Sequence, residues 1–406
     1  MKICNKEIPV LSIAASFLLA MLICLNGIRC MLNITDSSMM INMLFVVFIG
    51  ICAPRFLHRD NYRLDRSAVI YIFASVAVMV ACVISGIAVK EYSSLFKFAV
   101  ITVMGFCIIL MSEEELRRTV RFAILICSVY VAYILTNTAA VNRYLRRGSN
   151  YLNVTLPIGL IMGVLLISGV YKLLAKQRLA GAGYLALAAV YMYALTKFSA
   201  RGSIILPIVA VLFAAFLLGG HSLRKMAVVT VVTVVVGFVG YKVFVRYAGN
   251  LLTSRMSRLF SNVGTENRWQ IWADYLKEIW EQSLWLIGGG TNYFVRKFGV
   301  YPHNYYMQMV GEFGLIGIFY SAVASIKVAA DMLFVHRRVK RDSSAGDRLG
   351  FLYYRLLVAL IYIFLTFMKS FSVYDASLLI IVVSMCIAMR MHADEEERIM
   401  QGVPAL

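Results

Sequence analysis

Apolar runs of about 20 residues recur along nearly the whole chain, long enough for helices that cross the hydrocarbon core of a bilayer. This feature constrains the fold more than any other. Of the 406 residues, 61% are hydrophobic and only 15% are charged. Soluble domains have roughly 45–50% apolar and about 25% charged residues. The composition therefore excludes a water-soluble globule.

The apolar runs must form helices, because a segment in lipid has to satisfy its own backbone polar groups. The alternating pattern that a membrane β-barrel needs is absent from the sequence. We therefore predict an all-α polytopic membrane protein. The predicted spans number twelve and cover residues 8–27, 38–54, 68–87, 94–111, 119–138, 152–173, 180–198, 202–219, 226–245, 303–333, 353–371 and 374–391.

The net charge of +19 is explained by lysine and arginine residues in the predicted loops. With the amino terminus in the cytoplasm, every predicted inside loop is basic, as the positive-inside rule requires. We therefore do not predict a nucleic-acid partner. The eight cysteines form no CxxC pair, and most lie inside apolar runs, where cysteine behaves as a small hydrophobe. The sequence predicts neither a disulfide nor a metal site, and no cofactor.

Two predicted outside segments are basic against the rule. The first is the loop 142–150, with Arg143, Arg146 and Arg147, and the second is the long segment 246–302. We divide the chain into spans one to nine (1–245), a large periplasmic loop (246–302), spans ten to twelve (303–391) and a cytoplasmic tail (392–406).

The large loop contains all four tryptophans of the chain. Helical spacing places Trp269, Trp272, Leu276, Ile279 and Trp280 on one face, and Asp274, Glu278 and Glu281 on the other. This pattern predicts an amphipathic helix that lies on the outer membrane surface, where indole rings favour the interface. We expect the turn at 288–290 to end it.

Four outside-facing polar residues are candidates for chemistry: Arg201, Arg268, His303 and Glu312. Glu312 is predicted to lie on the same helix as His303, about 13 Å deeper at 1.5 Å per residue. Each also has an ordinary interpretation. An arginine at a helix end often anchors at the interface, and a histidine there is often a solvated cap. Glu312 is expensive to place at that depth unless it has a function or pairs with a neighbouring helix.

Other features have ordinary interpretations as well. Gly311, Gly314 and Gly317 most simply allow close helix packing. The basic cluster in the loop 142–150 would suit anionic lipid headgroups at the outer surface.

The combination of candidates favours one kind of chemistry. Two arginines beside a lipid surface suit a pyrophosphate, because a planar guanidinium pairs with phosphate oxygens bidentately. A histidine is suited to accept a proton near neutral pH. The sequence shows no carboxylate pair, serine triad, metal cluster or nucleotide-binding glycine loop. A site of cations and one base favours displacement of a phosphate-type leaving group without a metal.

Three blocks carry a resemblance to a known family. They are Ser199-Ala200-Arg201-Gly202-Ser203, then Asn267-Arg268 with Trp272, then Gly288-x-Gly290 followed by His303-Asn304, Glu312, Gly314 and Gly317. In this order the blocks resemble the O-antigen ligase and Wzy-type O-antigen polymerase superfamily. The match covers about 199–320, and the amino-terminal half resembles the family in topology.

The resemblance implies a GT-C-like fold and a metal-independent inverting glycosyltransferase of the bacterial inner membrane. It implies a glycan donor linked to undecaprenyl pyrophosphate, held by Arg201 and Arg268, and an acceptor hydroxyl at the periplasmic face, activated by His303. Glu312 is the rival base, although a carboxylate beside two arginines would be the weaker one. The predicted substrate-binding residues are Arg201, Arg268, Glu312, Asn304, Arg146 and Arg147.

The residues leave the acceptor open. A polysaccharide polymerase extends another glycan and works with a chain-length regulator protein, whereas a ligase joins the glycan to a lipid A core. Membrane lipids are partners in both cases. A flippase of lipid-linked oligosaccharide is the alternative of another class. Transporters usually have internal repeats and ionisable residues near the bilayer midplane, but here the polar positions collect at one face.

Overall fold

The computed structural model describes residues 9–34, 38–57, 65–90, 92–146, 151–198, 201–219, 267–341, 346–370 and 372–400. These residues are almost entirely helical, and no β-strand occurs among them. The prediction of an all-α membrane protein is confirmed at this level. The predicted span 226–245 lies outside the described residues, as does the first part of the large loop, residues 246–266.

The helices follow one another along the chain with short connections. They are α1 (Pro9–Ile23), α2 (Leu25–Leu32), α3 (Ser38–Leu57), α4 (Arg66–Ala88), α5 (Tyr92–Ile109), α6 (Glu113–Thr136), α7 (Thr138–Arg146), α8 (Tyr151–Leu174), α9 (Arg178–Thr196), α10 (Arg201–Gly219), α11 (Asn267–Glu281), α12 (Leu284–Ile287), α13 (Tyr293–Phe298), α14 (Tyr305–Ala322), a π-helical turn (Val323–Lys327), α15 (Val328–Arg341), α16 (Gly346–Ser370), a 3₁₀ turn (Val373–Asp375) and α17 (Ser377–Met400).

Within the described ranges, seven helical segments are long and apolar enough to cross a membrane: Arg66–Ala88, Glu113–Thr136, Val154–Leu174, Arg178–Thr196, Tyr305–Lys340, Leu349–Ser370 and Ser377–Glu395. The pair α1 and α2, bent by 73°, would make an eighth if it forms one span. Shorter apolar helices lie at three further predicted spans, at Asn42–Pro54, Phe96–Ile109 and Gly202–Leu218. The total of twelve spans stays a prediction.

Helix α8 is the centre of the bundle, because it is buried along almost its whole span and packs against α9, α10 and α16. Its glycines allow this close packing. A Cβ at Gly169 would lie 2.7 Å from Leu185 of α9, and a Cβ at Gly163 would lie 3.0 Å from Val358 of α16. The apolar side chains of the bundle form one continuous core.

Three helix ends meet at one end of the bundle, which we call the outer end. They are the carboxyl end of α4, the amino end of α14 and the carboxyl end of α16 with the 3₁₀ turn after it. The positive-inside pattern predicts that all three face the outside, and this orientation stays a prediction. The segment from α11 to α13 lies against this end and has a small core of its own, made of Tyr275, Ile279, Leu284 and Phe294.

Candidate functional site

The carboxylate of Glu312 lies at the centre of the outer end, where it is 1% exposed. Its Oε2 accepts hydrogen bonds from the Tyr374 hydroxyl at 2.5 Å and from the backbone N–H of Asn292 at 3.1 Å. Its Oε1 accepts from the Gln308 amide at 2.8 Å, and Gln308 in turn accepts from the N–H of Val373 at 3.0 Å. Glu312 therefore joins α14, the loop before α13 and the 3₁₀ turn. Burial raises the pKa of Tyr374, which keeps its hydroxyl a donor.

A break in α14 at Gly314 lets backbone carbonyls of this helix bond to the glycine turn, residues 288–290. Gly314 has φ +57° and ψ −134°, which is not helical. In a regular helix the carbonyls of Gly311 and Glu312 would accept from N–H groups four residues later. In this structure they accept from the N–H groups of Gly289 at 2.8 Å and Gly290 at 2.9 Å. The turn is therefore bonded to the backbone of α14.

The glycines of this contact are required by space. A Cβ at Gly288, which has φ +83°, would lie 2.3 Å from the carbonyl oxygen of Glu312. A Cβ at Gly311 would lie 2.3 Å from the ring of Phe294, and one at Gly314 would lie 2.5 Å from a carbonyl of α12. The prediction that Gly311, Gly314 and Gly317 allow close packing of membrane helices is therefore wrong in its partner. Gly311 and Gly314 make room for the outer segment, and Gly317 makes room for the backbone of Met309 in its own helix.

Hydroxyl groups attach the other side of the turn to α4. The hydroxyls of Thr291 and Ser85 lie 2.6 Å apart, and the N–H of Thr291 donates to Ser85 Oγ at 3.3 Å. A guanidinium N–H of Arg296 donates to the carbonyl of Gly289 at 3.1 Å. The turn is thus held from three directions, by α4, α13 and α14.

His303 lies before α14 and not on it, which corrects the prediction that His303 and Glu312 share one helix. It has φ +53°, and its ring centroid lies 4.2 Å from that of Tyr301. Asn304, predicted to bind substrate, caps α14: its Oδ1 accepts from the N–H groups of residues 306 and 307 at 3.0 and 3.1 Å. Trp272 donates from Nε1 to the carbonyl of Pro302 at 2.8 Å. His303 is therefore fixed between a helix cap and the Trp-rich helix.

The start of α10 places the backbone of Arg201 at the outer end. Ser203 and Thr155 of α8 have hydroxyls 2.8 Å apart. A Cβ at Gly202 would lie 3.5 Å from Lys369 Nζ, one residue before the end of α16. The same helix end leads into the 3₁₀ turn that holds Glu312. The side chain of Arg201 lies outside the described part of the chain.

The remaining cationic candidates are described only in part. Arg268 belongs to the first turn of α11, and Arg146 is the last residue of α7. Their side chains lie outside the described part of the chain, as does all of Arg147. Their predicted contacts with substrate stay predictions.

The Trp-rich helix is α11, and it is exposed on one apolar face. Trp269 and Leu276 are each 56% exposed, and Trp280 is 75% exposed. Ile279, predicted to share that face, is instead packed in the small core below. An exposed apolar face beside the outer end of the bundle suits contact with the membrane interface.

Two predictions about α11 were wrong. The helix ends at Glu281, because Ser283 takes a left-handed conformation, and the short α12 lies between it and the glycine turn. Glu278 was predicted to face outwards, yet it is 8% exposed. It accepts a hydrogen bond from the Tyr293 hydroxyl at 2.6 Å and pairs with Lys297. Both bonds lower the pKa of Glu278, and the bond from Lys297 has the larger effect.

Sequence reasoning missed the partners of Glu312. Gln308 had a signal, because it precedes Glu312 by four residues on the same helix and so shares its face. Asn292 contributes a backbone group, which no side-chain pattern reveals, and Tyr374 belongs to another part of the chain.

No group of three His, Cys, Asp or Glu side chains within the described residues is placed to hold a metal ion. No family model matches this chain, and no curated protein is significantly similar to it.

Proposed function

We propose that this protein is a membrane glycosyltransferase that acts at the outer face of the membrane. It transfers glycan from an undecaprenyl-pyrophosphate-linked donor to an acceptor hydroxyl, as a polysaccharide polymerase. The observation that carries the proposal is that separate parts of the third sequence block are bonded to one helix, α14. Its glycine turn donates backbone hydrogen bonds to the carbonyls of Gly311 and Glu312 in α14, and Asn304 of its His-Asn pair caps the same helix. Such contacts give a physical reason for the order and spacing that resemble the polymerase and ligase superfamily.

The roles divide between binding and proton transfer. Arg201 and Arg268 bind the donor pyrophosphate, because guanidinium groups pair bidentately with phosphate oxygens. His303 takes the proton of the acceptor hydroxyl as that oxygen attacks the anomeric carbon. The pyrophosphate leaves with the electron pair of the bond that breaks, and the configuration is inverted. Arg146 and Arg147 steer the anionic donor or bind the acceptor.

Glu312 has a positioning role in this proposal. Both of its oxygens already accept hydrogen bonds from the protein. Its bonds fix the glycine turn against α14, and through the same helix they fix the position of His303. We therefore assign the proton transfer to His303.

We further propose a GT-C-like fold with twelve spans, in the inner membrane of a bacterium, with the outer end facing the periplasm. Partners of this function are the lipid-linked donor, a glycan acceptor, membrane lipids and a chain-length regulator protein. The bonded glycine turn and Glu312 at the outer end support surface chemistry over alternating access, for which a flippase would need ionisable groups near the midplane. The prediction that polar positions collect at one face is wrong, because Arg355 and Asp331 are buried towards the other end of the bundle.

Deletion of the gene, followed by a ladder analysis of the cell-surface glycan, tests the proposal. Loss of long chains with a single-repeat band remaining is the expected result. Loss of all glycan from lipid A, with lipid-linked polymer retained, would assign the protein as a ligase instead. An unchanged ladder, or accumulation of donor on the cytoplasmic side, would overturn the glycosyltransferase proposal.

A further inference from the structure

A cation is buried within the membrane-spanning part of the bundle, at the end opposite the proposed site. Arg355 of α16 is 5% exposed and lies inside the span Leu349–Ser370. Its Nε donates to Ser168 Oγ at 2.8 Å, and its Nη2 donates to the Tyr184 hydroxyl at 3.2 Å. Its Cζ lies 3.8 Å from the ring centroid of Phe351. Arg355 thus joins α16 to α8 and α9 through neutral groups alone.

A second cation lies against the same ring. Lys172, in the last turn of α8, places Nζ 4.7 Å from the ring centroid of Phe351. The two positive charges therefore share one aromatic neighbour. Among the described side chains, no carboxylate pairs with Lys172 or Arg355.

Two other cations at this end of the bundle have carboxylate partners. Arg117 pairs with Glu113, and Arg118 pairs with Glu114 at 3.5 Å. Aromatic faces and hydroxyl groups attract a cation, but they supply no compensating charge. A charged group inside a membrane is costly, and such residues usually mark a ligand site or an ion pair. Among the described side chains, the arrangement around Phe351 therefore lacks an anion.

We propose that the ends of α8, α9 and α16 around Phe351 bind the phosphate of an anionic phospholipid. Lys172, which is partly exposed, contacts the phosphate. Arg355 is the buried charge behind it and keeps Tyr184 in place. The lipid comes from the leaflet at the basic end, which is the cytoplasmic leaflet by the positive-inside rule. Basic sites between membrane helices are suited to anionic headgroups on that side.

Native mass spectrometry of the purified full chain tests the site. The protein is taken from membranes made of equal parts phosphatidylglycerol and phosphatidylcholine, and the retained lipids are counted. We expect preferential retention of phosphatidylglycerol. Lys172→Gln should weaken that binding about fivefold, the effect of one lysine at an anionic surface. Lys176→Gln removes an exposed cation from the adjoining turn and should leave the preference unchanged.

Arg355→Gln should lower the preference at least as far as Lys172→Gln. If the buried substitution prevents folding, Lys172→Gln still decides the question, because its side chain is partly exposed. Equal retention of both lipids by the unsubstituted protein, or an unchanged preference in Lys172→Gln, would overturn the proposal.

Two further arms exclude rival explanations. In vesicles of phosphatidylcholine alone, millimolar inorganic phosphate should not raise the melting temperature. A rise that depends on Lys172 would assign the site to a free anion and overturn the lipid assignment. Asp347→Asn, at the nearest acidic position before Phe351 in the sequence, should leave the lipid preference unchanged. A marked gain of phosphatidylglycerol in that variant would identify Asp347 as the counterion and overturn the proposal.

Discussion

The hydroxyl of Tyr374 donates a hydrogen bond of 2.5 Å to Oε2 of Glu312, although the two residues are 62 positions apart in the chain. The bond connects the turn after α16 to the middle of the outer half of α14. Because the same oxygen accepts from the N–H of Asn292, one carboxylate determines how three segments meet. Any ligand bound at the outer end would depend on this arrangement.

Removing the Tyr374 hydroxyl should destabilise the protein. Tyr374→Phe leaves a buried carboxylate oxygen with one donor fewer, at a cost of about 1–3 kcal/mol. Tyr353→Phe is the matched control, because the Tyr353 hydroxyl is buried and has no hydrogen-bond partner among the described residues. We expect a lower melting temperature in detergent for the first variant and no loss for the second. Equal melting temperatures for both would show that the bond contributes nothing.

The glycine turn requires glycine at position 288 for two reasons, a close contact and a backbone conformation. Gly288 has φ +83° and ψ +159°, a conformation essentially confined to glycine, and its Cβ would meet the Glu312 carbonyl. Gly299 has φ +74° and ψ −3°, where a side chain costs about 1–2 kcal/mol, and nothing in the described part of the chain lies within 4 Å of its Cβ. Gly288→Ala should therefore lower thermal stability and glycan assembly far more than Gly299→Ala. Similar losses in the two variants would show that Gly288 carries no requirement beyond ordinary left-handed strain.

The sequence predicted the helices well and their junctions poorly. Spans such as 68–87 and 353–371 lie close to α4 and α16, because hydropathy depends on the segment itself. Gly314 shows the limit. Its spacing from Gly311 suggested helix packing, but only the approach of α12 explains why the helix breaks there. Contacts between distant segments leave no local periodicity from which they could be predicted.

Amphipathic spacing misplaced two residues of α11 for a related reason. Ile279 and Glu278 are neighbours in sequence, and the helical pattern put them on opposite faces. The structure buries both, because Ile279 packs with Phe294 of α13 and Glu278 pairs with Lys297 of the same helix. A polar side chain is exposed only when no other side chain is placed to pair with it. Such a pairing depends on the tertiary structure and is not visible in the sequence pattern.

Glu278 should make the outer segment sensitive to acid. Because its pKa is lowered in the fold, ionised Glu278 stabilises the segment above the ordinary carboxyl pKa, and this contribution is lost as the pH falls through the lowered value. Hydrogen exchange of the segment 267–300, followed from pH 6 towards pH 3, should show protection falling with pH. Glu278→Gln should remove this component, and Glu281→Gln, at an exposed position on the same helix, should retain it. An identical pH profile in Glu278→Gln would contradict the assignment.

The two arginines of the proposed pyrophosphate site should be required for glycan assembly. Arg201→Ala and Arg268→Ala should each abolish it or nearly so, with normal insertion in the membrane. Arg→Lys should rescue poorly, because an ammonium group does not pair bidentately with a phosphate. Lys277→Ala is the control on the same helix as Arg268 and should keep activity, since Lys277 is exposed and pairs with exposed Glu281. Arg146→Ala and Arg147→Ala should cause partial loss. Full activity in both Arg201→Ala and Arg268→Ala would rule out the site.

His303 should act as the base, and its backbone makes a sharp test available. The residue has φ +53°, a conformation that asparagine adopts more readily than most side chains. His303→Asn therefore keeps the backbone conformation and a hydrogen-bonding group but removes the proton acceptor. His303→Gln also replaces the imidazole with an amide, on a longer side chain. Turnover in a purified assay with lipid-linked donor should fall about 10²–10⁴-fold in His303→Ala and in both amide variants. Donor binding should be nearly unchanged, because the arginines carry it. Near-normal turnover in either amide variant would make His303 a positioning residue. The base would then be Glu312, on the helix that begins two residues after His303, or the leaving pyrophosphate itself.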